Sequence, residues 1–109
     1  MFNLTQKHCV PCEGGVEPFD EAKIQVYMPG LSLSWAVTDG KKISHQFKFK
    51  NFPEAIAFVD TIVPVAEAEG HHPDIHVYYN KVTIELWTHA IGGLSENDFI
   101  LAAKIESLV

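Results

Sequence analysis

The sequence predicts an α+β fold, in which a single layer of four-stranded antiparallel sheet carries about three helices packed on one face. Two observations lead to this prediction. Apolar and polar residues alternate in two pairs of short segments, and a tight turn joins the members of each pair, as in β-hairpins. Three other segments show apolar residues at helical spacing, so the order is helix, hairpin, helix, hairpin, helix.

The length and composition predict one globular domain. The chain has 109 residues, and we expect a single domain over residues 1–109, in which residues 1–17 form an N-terminal extension. A domain of this size buries roughly two thirds of its unfolded surface without disulfides or metals. No apolar run approaches the roughly 20 residues of a membrane span, and the first residues do not resemble a signal peptide. We therefore expect a cytoplasmic protein without a membrane partner.

The charge pattern argues against nucleic acid as a partner. The formal net charge is -6, and every basic residue is a lysine. The chain thus lacks both a basic surface and the forked arginine side chain that reads bases and phosphates. We expect no direct binding to nucleic acid.

The N-terminal extension contains Cys9 and Cys12, separated by Val10 and Pro11. Half of a structural zinc site is one interpretation, but the second pair of cysteine ligands is missing. A redox motif is another, but it needs a βαβ setting that these Gly- and Pro-rich residues do not provide. We favour a structural turn, and the metal and redox alternatives remain open.

The first helix is predicted from Phe19 to Met28, because apolar residues recur there at helical spacing. Pro29 and Gly30 end the run.

The first hairpin follows, and its two strands meet at a turn formed by Asp39 and Gly40. One face of this hairpin is predicted to be apolar, with these residues: Leu31, Leu33, Trp35, Val37, Ile43, Phe47 and Phe49. His45 falls on the same face, where we expect a core or interface histidine rather than a ligand.

Asn51 as a cap and Pro53 in the first turn predict the start of the second helix. Gly70 ends it by the usual C-terminal glycine rule. Glu67 lies in the last turn, and its alternative interpretation is an ordinary solvated helix acid. The predicted core stripe of this helix is Phe52, Ile56, Val59, Val63 and Ala66.

The second hairpin is predicted from residue 75 to residue 86, around a turn at Asn80 and Lys81. Because antiparallel strands return the chain to its starting point, the end of this hairpin brings His89 beside His71 and His72. Three imidazoles are therefore expected to converge.

The last helix is predicted from Phe99 to about Leu108, opened by a capping box of Ser95 and Asp98. Apolar residues surround this helix almost completely, which is more apolar surface than one sheet covers. We therefore expect part of the helix to contact another subunit, in a homodimer or homotetramer.

The histidine cluster admits three interpretations. Imidazole is the commonest metal ligand, but adjacent histidines rarely bind one ion. Acid/base catalysis fits an imidazole that titrates near neutrality, so that one ring is protonated while its neighbour is not. A structural use is the third. We favour catalysis, and the pattern alone leaves the other two open.

The same stretch resembles the pterin-4a-carbinolamine dehydratase family. The resemblance rests on a motif in the C-terminal half, namely Glu67-xxx-His71-His72-Pro73, Tyr79-Asn80-Lys81-Val82, Thr88-His89 and Gly93-Leu94-Ser95-xx-Asp98. The N-terminal cysteines also resemble the extension of bacterial and plant members. The resemblance implies the α+β fold predicted above.

The resemblance further implies a hydro-lyase that dehydrates a 4a-hydroxytetrahydropterin to quinonoid dihydropterin, in tetrahydrobiopterin recycling. It implies no cofactor and no metal, and an aromatic amino acid hydroxylase as the source of the substrate. His71 and His72 are then the acid/base pair, His89 assists at the leaving hydroxyl, and Glu67 orients a histidine. The implied substrate-binding residues are Gly70, Pro73, Trp87 and Thr88.

Two positions depart from some members of the family. Gly70 stands where some carry an acid, and Asn97 where some carry an arginine, so secondary pocket contacts differ. Two alternative functions follow from the same resemblance: a protein-binding module, since animal members act as coactivators of a dimeric transcription factor, or a role in molybdopterin metabolism.

Overall fold

The computed structural model describes residues 4–9 and 17–109. The elements of this part are α1 Glu21–Tyr27, β1 Ala36–Thr38, β2 Lys42–Lys48, α2 Phe52–Glu69, β3 Asp74–Tyr78, β4 Lys81–Leu86 and α3 Glu96–Glu106, with short 3-10 turns at Leu4–Gln6, Met28–Gly30 and His89–Ile91. The strands form one antiparallel sheet in the order β1-β2-β4-β3. The predicted α+β class is confirmed. None of the helices described here is both long and apolar enough to cross a bilayer.

The sheet has one apolar and one polar face. In the pairing of β2 with β4, Ile43 lies opposite Leu86 and Phe47 lies opposite Val82, and all four are buried. Glu85, which points to the other face, is only partly buried. Since α2 contacts β3 and β4, the apolar face is the one that faces the core.

The first hairpin turn lies where the sequence predicted it, and the second is shifted by one residue. Asp39 and Gly40 both adopt positive φ, 53° and 66°, as expected for a tight turn between two strands. The second turn consists of Tyr79 and Asn80 rather than Asn80 and Lys81, because Lys81 already pairs within the sheet. The side-chain Nδ2 of Asn80 donates to the carbonyl of Phe49 at 2.9 Å, which holds the turn against the residue that follows β2.

The first strand is shorter than the alternation predicted, because the carboxylate of Glu106 binds the backbone of the preceding residues. Glu106 accepts hydrogen bonds from the backbone N–H groups of Ser32 and Leu33, at 2.6 and 3.0 Å, and from Trp35 Nε1 at 3.0 Å. These bonds hold this segment against the end of α3 instead of in the sheet. Leu33 and Val37 are 37% and 39% exposed, so the predicted apolar face of this hairpin is not buried at these two positions.

Helix α2 begins and ends as predicted. The Asn51 side chain accepts from the backbone N–H of Glu54 at 3.0 Å, and Gly70 ends the helix in the left-handed region at φ 64°.

The predicted core stripe of α2 is wrong in all but one position. Phe52 and Val63 are 46% and 52% exposed, and Ile56 and Val59 are only partly buried. The residues that α2 buries are Ala55, Phe58, Ile62 and Ala66. The helix therefore carries two apolar stripes, and the chain buries one of them and covers the other only in part.

Helix α3 has its predicted capping box at Ser95 and Asp98, but it starts earlier, at residue 96. The expectation that its apolar surface meets another subunit is wrong, because this chain covers it. Phe99 packs against Phe19 and Tyr27, with ring centroids 6.0 and 5.5 Å away. Leu4, in the N-terminal segment, is 1% exposed and belongs to the same core.

Candidate active site

A cavity of about 690 Å³ lies where the end of α2, the start of β3 and the loop after β4 meet. It is lined by residues 67–74 and 87–90, together with Cys9 and Asn97. The cavity brings together all eight site residues that the sequence suggested: Glu67, Gly70, His71, His72, Pro73, Trp87, Thr88 and His89.

His71 is held by a buried carboxylate. Its Nε2 lies 2.6 Å from Oδ1 of Asp98, whose side chain is fully buried. The other carboxylate oxygen, Oδ2, accepts from Thr88 Oγ1 and from the backbone N–H of Ser95, both at 2.9 Å. Asp98 is an acceptor on every side, so Nε2 of His71 donates the proton in their hydrogen bond. This bond fixes the orientation and the tautomer of the ring.

The chain reversal at the end of α2 separates the two neighbouring imidazoles. Gly70 turns the backbone, and the N–H of His71 then bonds to the carbonyl of Ala66 at 3.3 Å. The side chain of His71 is 13% exposed, whereas that of His72 is 63% exposed. The two rings therefore have different surroundings, one inside the fold and one open to solvent.

His72 pairs with the acid in the last turn of α2. Its Nε2 lies 2.6 Å from Oε2 of Glu67, and both side chains are largely exposed. The structure thus places Glu67 beside a histidine, which is the arrangement that an orienting acid requires.

His89 stacks on Trp87, with a centroid distance of 3.9 Å and an interplanar angle of 30°. The indole Nε1 of Trp87 donates to Asp74 at 3.3 Å, which fixes that ring. Two flat side chains therefore form one side of the cavity, a suitable surface for a planar heterocycle.

Two histidines of the sheet, His45 on β2 and His76 on β3, lie outside the cavity. His76 pairs with Glu85 at 3.1 Å on the polar face. His45 bonds to the carbonyl of Ser34 at 3.0 Å and packs against Phe47, with ring centroids 4.8 Å apart. His45 is thus a packed side chain of the hairpin, as the sequence indicated.

Sequence reasoning missed several residues that line or support the cavity. Asp98 was identified as a helix cap and as the last residue of the family motif, but its bond to His71 was not expected. Glu69 and its contact with Cys9 gave no local signal, because that contact joins residues 60 positions apart.

The N-terminal cysteine has an inert thiol. Burial, and then the charge of Glu69, raises the pKa of Cys9 to about 12, so the thiol stays protonated at neutral pH. Cys12 lies outside the described residues, so the favoured structural turn stays a prediction. Across residues 4–9 and 17–109, no three His, Cys, Asp or Glu side chains are grouped so that they could hold a metal ion.

The fold and the cavity define a class of small α+β domain, built around imidazoles at the end of its central helix. The family described as pterin 4 alpha carbinolamine dehydratase matches residues 17–108, and the chain belongs to this family.

Relatives and solved structures agree with this assignment. A protein of Halorhodospira halophila named "Putative pterin-4-alpha-carbinolamine dehydratase" is 49% identical over 98% of each chain. A protein of Rickettsia canadensis with the same name is 43% identical over the full length of both chains. The crystal structure of a transcriptional coactivator/pterin dehydratase from Brucella melitensis is 31% identical, with a TM-score of 0.77, and covers 84% of this chain and 98% of its own.

A more distant structure shares only the fold. A pterin dehydratase-like protein, described as a RuBisCO assembly factor in the alpha-carboxysome, is 24% identical with a TM-score of 0.60, and covers 71% of this chain and 90% of its own.

Proposed function

We propose that this protein dehydrates a 4a-hydroxytetrahydropterin to quinonoid dihydropterin by histidine general acid/base catalysis, without a cofactor. Membership of the family supports the reaction class. The observation that carries the proposal is the bond between His71 and the buried Asp98, in a cavity that two further imidazoles line.

The reaction requires two proton transfers, and the cavity offers groups for both. The C4a–O bond breaks, and the hydroxyl leaves as water after a protonated imidazole donates a proton to it. A second base removes the proton from a ring nitrogen, and that electron pair forms the new C=N bond. Each well-placed acid or base contributes typically about 10² to 10⁴-fold.

The residues divide between proton transfer and positioning. We assign His71 and His72 as the acid/base pair and His89 as the group that assists the leaving hydroxyl. Asp98 acts through His71, whose ring it orients. Glu67 acts in the same way on His72, whose exposure also allows proton exchange with solvent.

The pterin ring itself requires a binding surface. We propose that Trp87 contributes a flat side of that surface, and that Gly70, Pro73 and Thr88 line the remainder. An aromatic amino acid hydroxylase as the source of the substrate, and the cytoplasm as the compartment, stay predictions.

A direct assay of carbinolamine dehydration on the purified protein tests this proposal. The 4a-carbinolamine is generated in the cuvette, and formation of quinonoid dihydropterin is followed with and without the protein. We expect a rate proportional to protein concentration and well above the spontaneous rate. A rate equal to the spontaneous one would refute the proposal.

We also propose a homodimer or homotetramer, because α2 carries an apolar surface that this chain does not bury. The more exposed apolar stripe on this helix consists of Phe52, Ile56, Val59 and Val63, and we call it the outer stripe of α2. The same stripe favours a protein-binding role as the second candidate function. Binding of another protein that persists in a variant without dehydratase activity would identify such a role. A place in molybdopterin metabolism would require the same cavity to accept a different pterin.

A further inference from the structure

Glu69 is a buried carboxylate that the proposed reaction does not use. Its side chain is 6% exposed, whereas that of Glu67, two residues earlier on α2, is 68% exposed. Glu69 accepts from the backbone N–H of Cys9 at 2.7 Å, and its other oxygen lies 3.1 Å from His8 Nδ1 and 3.5 Å from Lys104 Nζ. Because a buried carboxylate is costly unless it is hydrogen-bonded, these three contacts are what allow Glu69 to lie inside the fold.

The partners of Glu69 fasten residues 4–9, which we call the N-terminal segment, onto the helices. Leu4 is inserted into the core, and Lys104 on α3 donates to the carbonyl of Thr5 at 3.2 Å. Lys7 forms an ion pair with Glu96 at 2.9 Å. The N-terminal segment is therefore attached along its length, and Glu69 holds the end that reaches the cavity.

Cys9, at that end, is part of the cavity wall. Cys9 lines the same cavity as His71 and His89. Its Sγ lies 3.6 Å from the carbonyl of Asn97, which precedes Asp98 at the start of α3. The N-terminal segment thus spans from the end of α2 to the start of α3 at the edge of the site.

We propose that Glu69 is a positioning residue for substrate binding, which holds Cys9 as a wall of the cavity and so determines which substituents on the pterin ring fit. This inference rests on the proposed function, because it takes the ligand to be a pterin. The thiol of Cys9 transfers no proton at neutral pH, since its pKa is about 12. Loss of this wall should therefore weaken the binding of pterins and reduce the discrimination between pterins with different substituents. The turnover number kcat should stay nearly unchanged.

The first experiment compares Glu69→Ala with Asp60→Ala, in which an exposed acid of the same helix is removed. The chain has two cysteines, so both variants are made in a Cys12→Ser background, in which Cys9 is the remaining thiol. We expect iodoacetamide to alkylate Cys9 about tenfold faster in Glu69→Ala, and the Kd for a 6-substituted dihydropterin to rise about tenfold. Asp60→Ala should match the parent in both measurements.

The second variant, Cys9→Leu, tests the wall without removing its anchor. The longer side chain should weaken binding of a dihydropterin with a side chain at C6 more than binding of the unsubstituted ring. Equal affinity of Cys9→Leu and wild type for both pterins would overturn the inference, as would wild-type alkylation and binding in Glu69→Ala. Failure of the wild type to bind either pterin would overturn the proposed function as well, so the two failures are distinguishable.

Discussion

Asp98 uses its two carboxylate oxygens for two different purposes. Oδ2 closes the capping box with Ser95, and Oδ1 binds His71, 27 residues earlier in the chain. The first purpose is local, so the spacing of the capping box predicted it. The second depends on where the sheet returns the chain, and nothing in the local pattern predicted it.

Exchange of Asp98 for asparagine should therefore disturb catalysis through the tautomer of His71. The N–H of Ser95 needs an acceptor, so the amide NH₂ of Asp98→Asn would face His71 and force its proton onto Nδ1. We expect kcat to fall by about 10²-fold with a small change in KM. Steady-state kinetics measures both constants.

A matched control separates this effect from the loss of a helix cap. Asp20 caps α1 by accepting from the N–H of Lys23 at 2.9 Å, far from the histidines in sequence. Asp20→Asn makes the same chemical change at another helix start, and its kcat should stay close to that of the wild type. An equal loss in both variants would show that Asp98 matters only for folding.

The paired histidines predict a characteristic pH dependence. If one imidazole must be protonated to release the hydroxyl while another must be neutral to accept a proton, the rate is bell-shaped in pH. The two limbs report the acid and the base of the reaction together rather than single residues. A rate profile of kcat against pH measures this, and a rate that rises or falls in one direction across the neutral range would contradict it.

At the scale of elements, α2 shows why an apolar period locates a helix but not its buried face. The outer stripe and the buried residues both recur at helical spacing, so the sequence offers two candidate faces. The choice between them depends on how α2 crosses the sheet. The prediction placed Ala66 in the core together with the outer stripe, whereas the helix buries Ala66 together with Ala55, Phe58 and Ile62.

The outer stripe predicts the assembly of the protein. A charge introduced into the outer stripe by Val63→Lys should shift the protein to a smaller species in sedimentation velocity. Val26→Lys on α1 makes the same change at a valine that is 58% exposed, and should leave the sedimentation unchanged. A wild type that already sediments as a monomer would contradict the proposed oligomer.

The contact of Glu69 with the N-terminal segment predicts how stability depends on pH. Burial by itself would raise the pKa of Glu69, but the hydrogen bonds from Cys9 and His8 and the charge of Lys104 lower it below 4.5 on balance. Because the folded state binds the proton less tightly than the unfolded chain, the stabilisation is complete above pH 4.5 and is lost as the pH falls through the folded-state pKa.

Thermal unfolding checks this prediction. Glu69→Gln should melt several degrees below the wild type at neutral pH, and the difference should shrink at about pH 3. A difference that is the same at both pH values would mean that the charge of Glu69 contributes nothing to folding.

At the scale of the whole molecule, the sequence predicted what is locally repeated and missed what is brought together from a distance. The alternation in β4 and the caps of α2 and α3 depend on neighbours a few residues away, and these predictions are confirmed. The coverage of α3 depends on Phe19, Leu4 and the sheet acting together. No pattern in α3 itself could show that its apolar surface is filled from within the chain.

The site follows the same division. The approach of His89 to His71 and His72 was predictable, because a hairpin returns the chain to its start. The wall formed by Cys9 was not, because a single N–H donated to Glu69 places it.

The central claim is that the imidazole of His71, held by Asp98, transfers a proton in the dehydration of a pterin carbinolamine. Its most direct test is the comparison of kcat and KM for His71→Ala and for His76→Ala, whose ring pairs with Glu85 on the polar face of the sheet. We predict a fall in kcat of about 10²-fold or more for His71→Ala with KM changed far less, and near-normal constants for His76→Ala. Near-normal kcat in His71→Ala with a raised KM would contradict the claim, and would make His71 a binding residue.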